Sequence, residues 1–342
     1  MVLSVRMGVM GAELNADCGG RLPCVLHVGL PKTGTTFLQK RWFPRLTGFD
    51  YYSTEPPYAW PDALRWIYEL NQAWFMPACL ATRATAHFGA TAVARSVDEH
   101  YARWCSEGSA FVASLSRPAI FSSEGLAGHA LPVTAIHAKL LHDVFGKAKV
   151  VFVFRRQAEW LHSLWRQLVV VEDRFARFLE PAELIEPNAA GNALVDLDWR
   201  AFVSVFDALF GEECVLALPY EWMLADPAAF AARLAAFIGA DLAPEVDFGN
   251  RENVSEPEAK YVQWAVDPWL GSRSGYRIRR ALRRPGVLSR VKRSALAGIV
   301  LREITPPTLE DAFRSRVMTE FAHSNRALAV RTGLDLAAWG YF

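Results

Sequence analysis

The sequence predicts an α/β protein, a central parallel sheet flanked by helices in three layers, with a helical insertion. Three observations carry that prediction. Short apolar runs of strand length recur along the chain, each followed by a polar or glycine-containing turn and then a helical pattern. The runs are apolar at every position rather than alternating, as strands covered on both faces are. The composition of the 342 residues, 52% hydrophobic and 21% charged, suits one large packed core.

In chain order the runs are Cys24-Val25-Leu26-His27-Val28-Gly29, Ala119-Ile120-Phe121-Ser122, Val150-Val151-Phe152-Val153-Phe154 and Cys214-Val215-Leu216-Ala217-Leu218. Ligands of such sheets bind beyond the carboxyl ends of the strands, so the residues after each run are the candidate site. Residues 1–22 read as a loose leader, because Glu13, Asn15 and Asp17 interrupt any signal-type apolar core. Residues 23–342 read as a single domain. Within it, an aromatic- and alanine-rich stretch from about 50 to 115, with Trp60, Trp66, Trp74 and Trp104, reads as the helical insertion. Asp226 and Pro227 open a helix that Gly239 stops, within Asp226 to Leu242, and another helix is expected between Leu309 and Arg331.

Several function classes are disfavoured at this level. A net charge of +1 argues against a basic coat for nucleic acid. No stretch reaches the ~18 apolar residues of a transmembrane span. Five cysteines with no C-x-x-C pair fit neither a disulfide framework nor a zinc site, so a soluble protein of a reducing, cytoplasmic compartment is expected. One segment departs from this balance. From Gly271 to Arg302 there is no acidic residue, while nine Lys and Arg residues lie between Arg273 and Arg293. Segment 271–302 is either a solvated basic face or a surface for an anionic glycan, an acidic membrane or the phosphates of a nucleotide.

The first run leads into Gly29-Leu30-Pro31-Lys32-Thr33-Gly34-Thr35-Thr36-Phe37. Glycines permit tight turns, successive N–H groups at the helix start hold an anion, and Thr35 and Thr36 add hydroxyl donors. Against the nucleotide pattern G-x-x-x-x-G-K-[ST], the glycines fall correctly at 29 and 34, but Thr35 stands where the lysine belongs. The lysine, Lys32, lies inside the loop. That placement suits a single 5′-phosphate with one leaving group better than a triphosphate with magnesium. The third run, moreover, ends in Arg155 where an NTPase often carries an acidic residue.

Pro31-Lys32-Thr33-Gly34-Thr35-Thr36 closely resembles the 5′-phosphosulfate loop of sulfotransferases that use 3′-phosphoadenosine-5′-phosphosulfate (PAPS). The longer Leu26 to Gln39 looks like bacterial carbohydrate-type members. Arg155, with Ser163 eight residues later, resembles the family's 3′-phosphate site. Gln157 stands where the family commonly has proline, and Trp160 where it often has a second arginine. Pro219-Tyr220-Glu221-Trp222-Met223-Leu224 is similar to a tyrosine-glutamate segment of the family and is read as structural, and the ending from Gly333 to Tyr341 also looks like bacterial members.

The resemblance implies a P-loop-type sulfotransferase fold and sulfuryl transfer from PAPS, leaving PAP, to an acceptor hydroxyl of a carbohydrate or glycolipid, with no metal required. Lys32, Thr33, Gly34, Thr35, Thr36, Phe37, Arg155 and Ser163 would hold the co-substrate, with Lys32 also catalytic. For the base, Glu124 is the choice because it follows the second run at the same edge of the sheet. Its other reading is a helix cap or a partner of Lys32. His129 is the second choice, and His27, inside a strand, reads as core. The expected partner is a small-molecule or glycan acceptor, with peripheral membrane contact open and nucleic acid excluded. A P-loop kinase or NTPase, and a non-catalytic anion-binding protein of the same fold, are the alternatives.

Overall fold

A strand with apolar side chains on both faces has to be covered twice, and the arrangement around the main sheet meets that requirement. The computed structural model describes residues 23–53, 58–66, 100–128, 130–167, 181–186, 195–241, 261–264, 301–304 and 309–342. Five strands, β1 (Cys24–His27), β2 (Asp50–Ser53), β3 (Ala119–Ser122), β4 (Lys149–Phe154) and β5 (Val215–Pro219), pair in the order β2-β3-β1-β4-β5, every pair parallel. Leu26, Phe121, Phe152, Phe154 and Ala217 belong to the core on one face. Val25, Ile120, Val151, Val153, Leu216 and Leu218 belong to the core on the other. Each Val, Leu, Ile or Phe among them, fully buried, contributes about 1.5–3 kcal/mol.

The first face is covered by α2 (Leu131–Phe145), α3 (Gln157–Trp165), α4 (Trp199–Phe210) and α7 (Asp311–Thr332), through Leu141, Trp160, Phe202 and Leu328 among others. The second is covered by the segment after β1 and by α6 (Pro227–Ile238), through Trp42, Phe43, Phe230 and Leu234. The segment after β1 begins as α1 (Thr35–Phe37) and continues with changed pitch through Leu38–Trp42 and Phe43–Arg45. The short α5 (Tyr220–Ala225) follows β5 directly.

Helix ends follow the chemistry of their residues. The Asp226 side chain accepts the Ala229 N–H at 3.0 Å, Pro227 occupies the first turn, and Gly239 ends α6 at φ 79. Helix α7 is fastened to α4 by Arg331, whose Nη2 and Nε donate to the two Asp207 oxygens at 2.6 and 2.9 Å. This pair is nearly buried, at 13% and 8% side-chain exposure, and the Asp207 hydrogen bonds raise the Arg331 pKa.

The fold is the expected three-layer arrangement, with two differences. Asp50–Ser53 form an edge strand where the helical insertion was expected to begin. An antiparallel pair, β6 (Tyr261–Trp264) with β7 (Leu301–Ile304), was not foreseen. Residues 100–113 of the expected insertion are helical; 67–99, and the basic stretch 273–293 between β6 and β7, lie outside the described residues. No helix among the described residues is long and apolar enough to cross a membrane.

The order places the functional edge. β1 is central, with β3 and β2 on one side and β4 and β5 on the other. Connections leaving β1, β3 and β4 therefore emerge around the point where strand order reverses, the position at which open α/β sheets form a crevice.

Candidate active site

The loop after β1 is held with its carbonyls turned into the fold. The Leu30 carbonyl accepts the Thr33 hydroxyl at 2.6 Å, the Pro31 carbonyl accepts the Trp160 indole N–H at 2.7 Å, and the Lys32 carbonyl accepts Arg155 Nη1 at 3.2 Å. Three consecutive acceptors are thereby occupied. What the loop and the first helical turn can offer an anion is their N–H groups, together with the half-buried Lys32 side chain.

Two backbone conformations make this possible. Gly34 has φ 80, and a Cβ there would come within 2.2 Å of Met223 Cε and 3.0 Å of the Tyr220 ring. Lys32 has φ 66, the only positive φ at a non-glycine position among the described residues. A left-handed lysine is strained, and such strain concentrates at functional sites.

Glu124 follows β3 and reaches the loop: it accepts a hydrogen bond from the Thr35 hydroxyl. Its turn is closed by the Gly125 N–H to Ser123 Oγ at 3.2 Å and the Leu126 N–H to the Ser123 carbonyl at 3.3 Å. His137 on α2 hydrogen-bonds the backbone of Gly125 and Leu126. Burial lowers its pKa to about 4 against the opposing pull of those bonds, so it is neutral at physiological pH.

Beneath the loop lies His27, fully buried. Its Nδ1 is 2.7 Å from Ser122 Oγ, which also accepts Gln39 Nε2 at 3.1 Å. Burial lowers the His27 pKa to about 3. It is a neutral core residue, as the sequence suggested.

Arg155 leaves β4 toward the same edge. Besides reaching Lys32, its guanidinium lies over the Tyr220 ring at 5.1 Å, and its carbonyl accepts the Trp199 indole N–H at 2.7 Å. Ser163 sits half-buried on α3, six residues after the helix start and so about 9 Å along its axis.

The loop, Glu124 and Arg155 thus stand together, and two of the loop residues make further contacts. The Thr35 hydroxyl is given to Glu124 rather than left as a simple donor. Phe37 is turned inward, its N–H donating to the Gly34 carbonyl at 3.0 Å and its ring joining the second-face core. Thr36 is half-buried in the first turn. His129 lies outside the described residues.

Trp160, Trp199 and Tyr220 brace the loop and Arg155. The sequence marked Trp160 as an aromatic in place of an arginine and Tyr220 as part of a structural segment, and Trp199 was passed over.

No curated protein matches this sequence. Among solved structures, the chain is similar to a sulfotransferase from Alicyclobacillus acidocaldarius, at 16% identity and TM-score 0.47, over 93% of this chain and 98% of that one. It is also similar to mouse sulfotransferase SULT7A1 in complex with PAP, at 12% identity and TM-score 0.35, over 65% and 61%. A third is the sulfotransferase domain of the Synechococcus PCC 7002 olefin synthase, at 17% identity and TM-score 0.34, over 64% and 73%. The family model described as the sulfotransferase domain matches residues 22–260. That span runs from the start of β1 past α6, and the chain accordingly belongs to the sulfotransferase family and is a transferase of sulfuryl groups.

Proposed function

We propose that this enzyme moves the sulfuryl group of PAPS to an acceptor hydroxyl by in-line displacement, and that the acceptor is a carbohydrate or glycolipid. The observation that carries the reading is the meeting of three connections at one edge, with Arg155 bonded to the Lys32 carbonyl and Glu124 bonded to Thr35. PAPS, when bound, supplies the activated sulfuryl group.

The chain's own residues divide the remaining work. The loop N–H groups receive the 5′-phosphate, and Lys32 balances the negative charge that builds on the leaving oxygen. Arg155, its guanidinium oriented by Tyr220, holds the 3′-phosphate with Ser163. Glu124 takes the proton of the acceptor hydroxyl, its carboxylate oriented by Thr35. The residues present fit the nucleotide: the carbonyls that would repel phosphate are occupied elsewhere, and Gly34 lets Met223 and Tyr220 pack against the loop where a side chain would collide.

The kinase reading fares worse on one observation. Thr35, at the position of the nucleotide-loop lysine, gives its hydroxyl to a carboxylate. The carbohydrate acceptor rests on the resemblance of Leu26 to Gln39 to bacterial carbohydrate-type members. Incubation of the enzyme with labelled PAPS and a host extract, followed by mass spectrometry, tests both parts. A sulfate mass gain on a glycan or glycolipid is expected. A gain confined to another compound class removes the acceptor assignment, and no gain on any compound removes the transfer reading.

A further inference from the structure

The turn that carries Arg155 is gripped from the far end of the chain. Phe154, the last residue of β4, meets the edge of the Tyr341 ring at 5.5 Å between centroids. The Tyr341 hydroxyl donates to Glu221 Oε2 at 2.7 Å, and Glu221 Oε1 accepts the Arg156 backbone N–H at 3.2 Å, with Arg156 Nε 3.6 Å away. Gln157 exchanges amide hydrogen bonds with Asn325 of α7 at 2.7 and 3.2 Å, and Asn325 also donates to the Tyr341 carbonyl at 2.9 Å. Tyr341, Gln157 and Asn325 are all fully buried. Residues 154, 156 and 157 are therefore each fixed by the closing segment or by its partners, and Arg155 is the residue between them.

Glu221 is the joint of this arrangement. It receives Tyr341 on one oxygen and the Arg156 main chain on the other, and its neighbour Tyr220 carries the ring beneath the Arg155 guanidinium. One carboxylate thus ties the backbone of the arginine turn to the surface on which the arginine rests. A partly buried carboxylate that loses a hydroxyl donor has to shift or take up water, and either movement is passed to both.

We propose that Tyr341, acting through Glu221, is a positioning residue for Arg155, so that the end of the chain sets the grip on the 3′-phosphate. This rests on the reading of Arg155 given above. A purely structural role would weaken the fold and every ligand alike. A positioning role weakens only what Arg155 touches.

The test compares PAP with adenosine 5′-phosphate, which lacks the 3′-phosphate, by calorimetric titration of the full chain. In wild type, PAP is expected to bind more tightly. Tyr341→Phe keeps the ring on Phe154 and removes the hydroxyl; it should raise the Kd of PAP about tenfold, the loss of one charge-assisted hydrogen bond. Adenosine 5′-phosphate should change less than about twofold, and kcat at saturating PAPS should be kept. Glu221→Gln, whose single amide oxygen can accept from Tyr341 or from the Arg156 N–H but not from both, should raise the PAP Kd by about tenfold as well. Equal weakening of both ligands, or no change in either variant, overturns the proposal. A wild type that binds the two ligands equally instead overturns the assignment of Arg155 to the 3′-phosphate, and the proposal with it.

Discussion

The loop after β1 and the turn after β4 serve one edge of the sheet but are built differently. The loop owes its shape largely to its own sequence: Gly34 and Lys32 with positive φ, and Thr33 bonded back to Leu30 three residues away. The turn owes its shape to residues far along the chain, with Trp199, Glu221, Asn325 and Tyr341 each fixing one part of it. Two ties join them, Arg155 to the Lys32 carbonyl and Trp160 to the Pro31 carbonyl. A locally encoded element can be read from a motif; one assembled at long range cannot.

Substitutions can break or sharpen this contrast. The largest effect is expected at the base. Glu124→Gln should cost about 10²–10⁴ in turnover while the Kd of PAP is kept, and normal turnover would remove Glu124 from that role. Lys32→Ala should cost about 10²–10³ in kcat in the same sulfate-transfer assay, and activity near wild type would remove Lys32 from catalysis.

Away from the chemistry, Arg331→Met should lower stability by about 3 kcal/mol in urea unfolding by stranding Asp207, with PAP binding unchanged while the protein stays folded. Trp160→Phe strands the buried Pro31 carbonyl. It should cost about 1–3 kcal/mol of stability and also raise the Kd of PAP, since this tie belongs to the loop. Loss of stability with an unchanged Kd would show that the loop holds its shape without the turn's help.

Acid stability tests the core beneath the loop. His27 is neutral in the fold down to about pH 3, whereas unfolded histidine takes up a proton near 6.5. The unfolded state therefore binds more protons in that window, so stability is full above pH 6.5 and falls as pH drops toward 3, by about 1.4 kcal/mol per unit. His27→Gln should lower that slope by about 1.4 kcal/mol per unit in urea unfolding between pH 6.5 and 5, leaving the share contributed by the buried His137, and an unchanged slope would mean that His27 titrates in the fold as it does unfolded.

Much of this architecture was legible in the sequence. The four buried strands stood out because both of their faces are apolar, and α6 because Asp226 and Gly239 mark its ends. β2 did not, since Asp50-Tyr51-Tyr52-Ser53 is a half-buried edge strand with no continuous apolar run. Gln157 and Trp160 were read as departures from the family pattern. Each makes a buried contact, with Asn325 and with Pro31, at separations of 168 and 129 residues that no local pattern reveals.

The central claim is that the loop and the arginine turn grip the two ends of one nucleotide, and calorimetric titration of the wild-type chain tests it most directly. The account predicts that PAP binds, that adenosine 5′-phosphate binds more weakly, and that ATP with magnesium binds more weakly than PAP. Tight binding of ATP with magnesium alongside no response to PAP would contradict it.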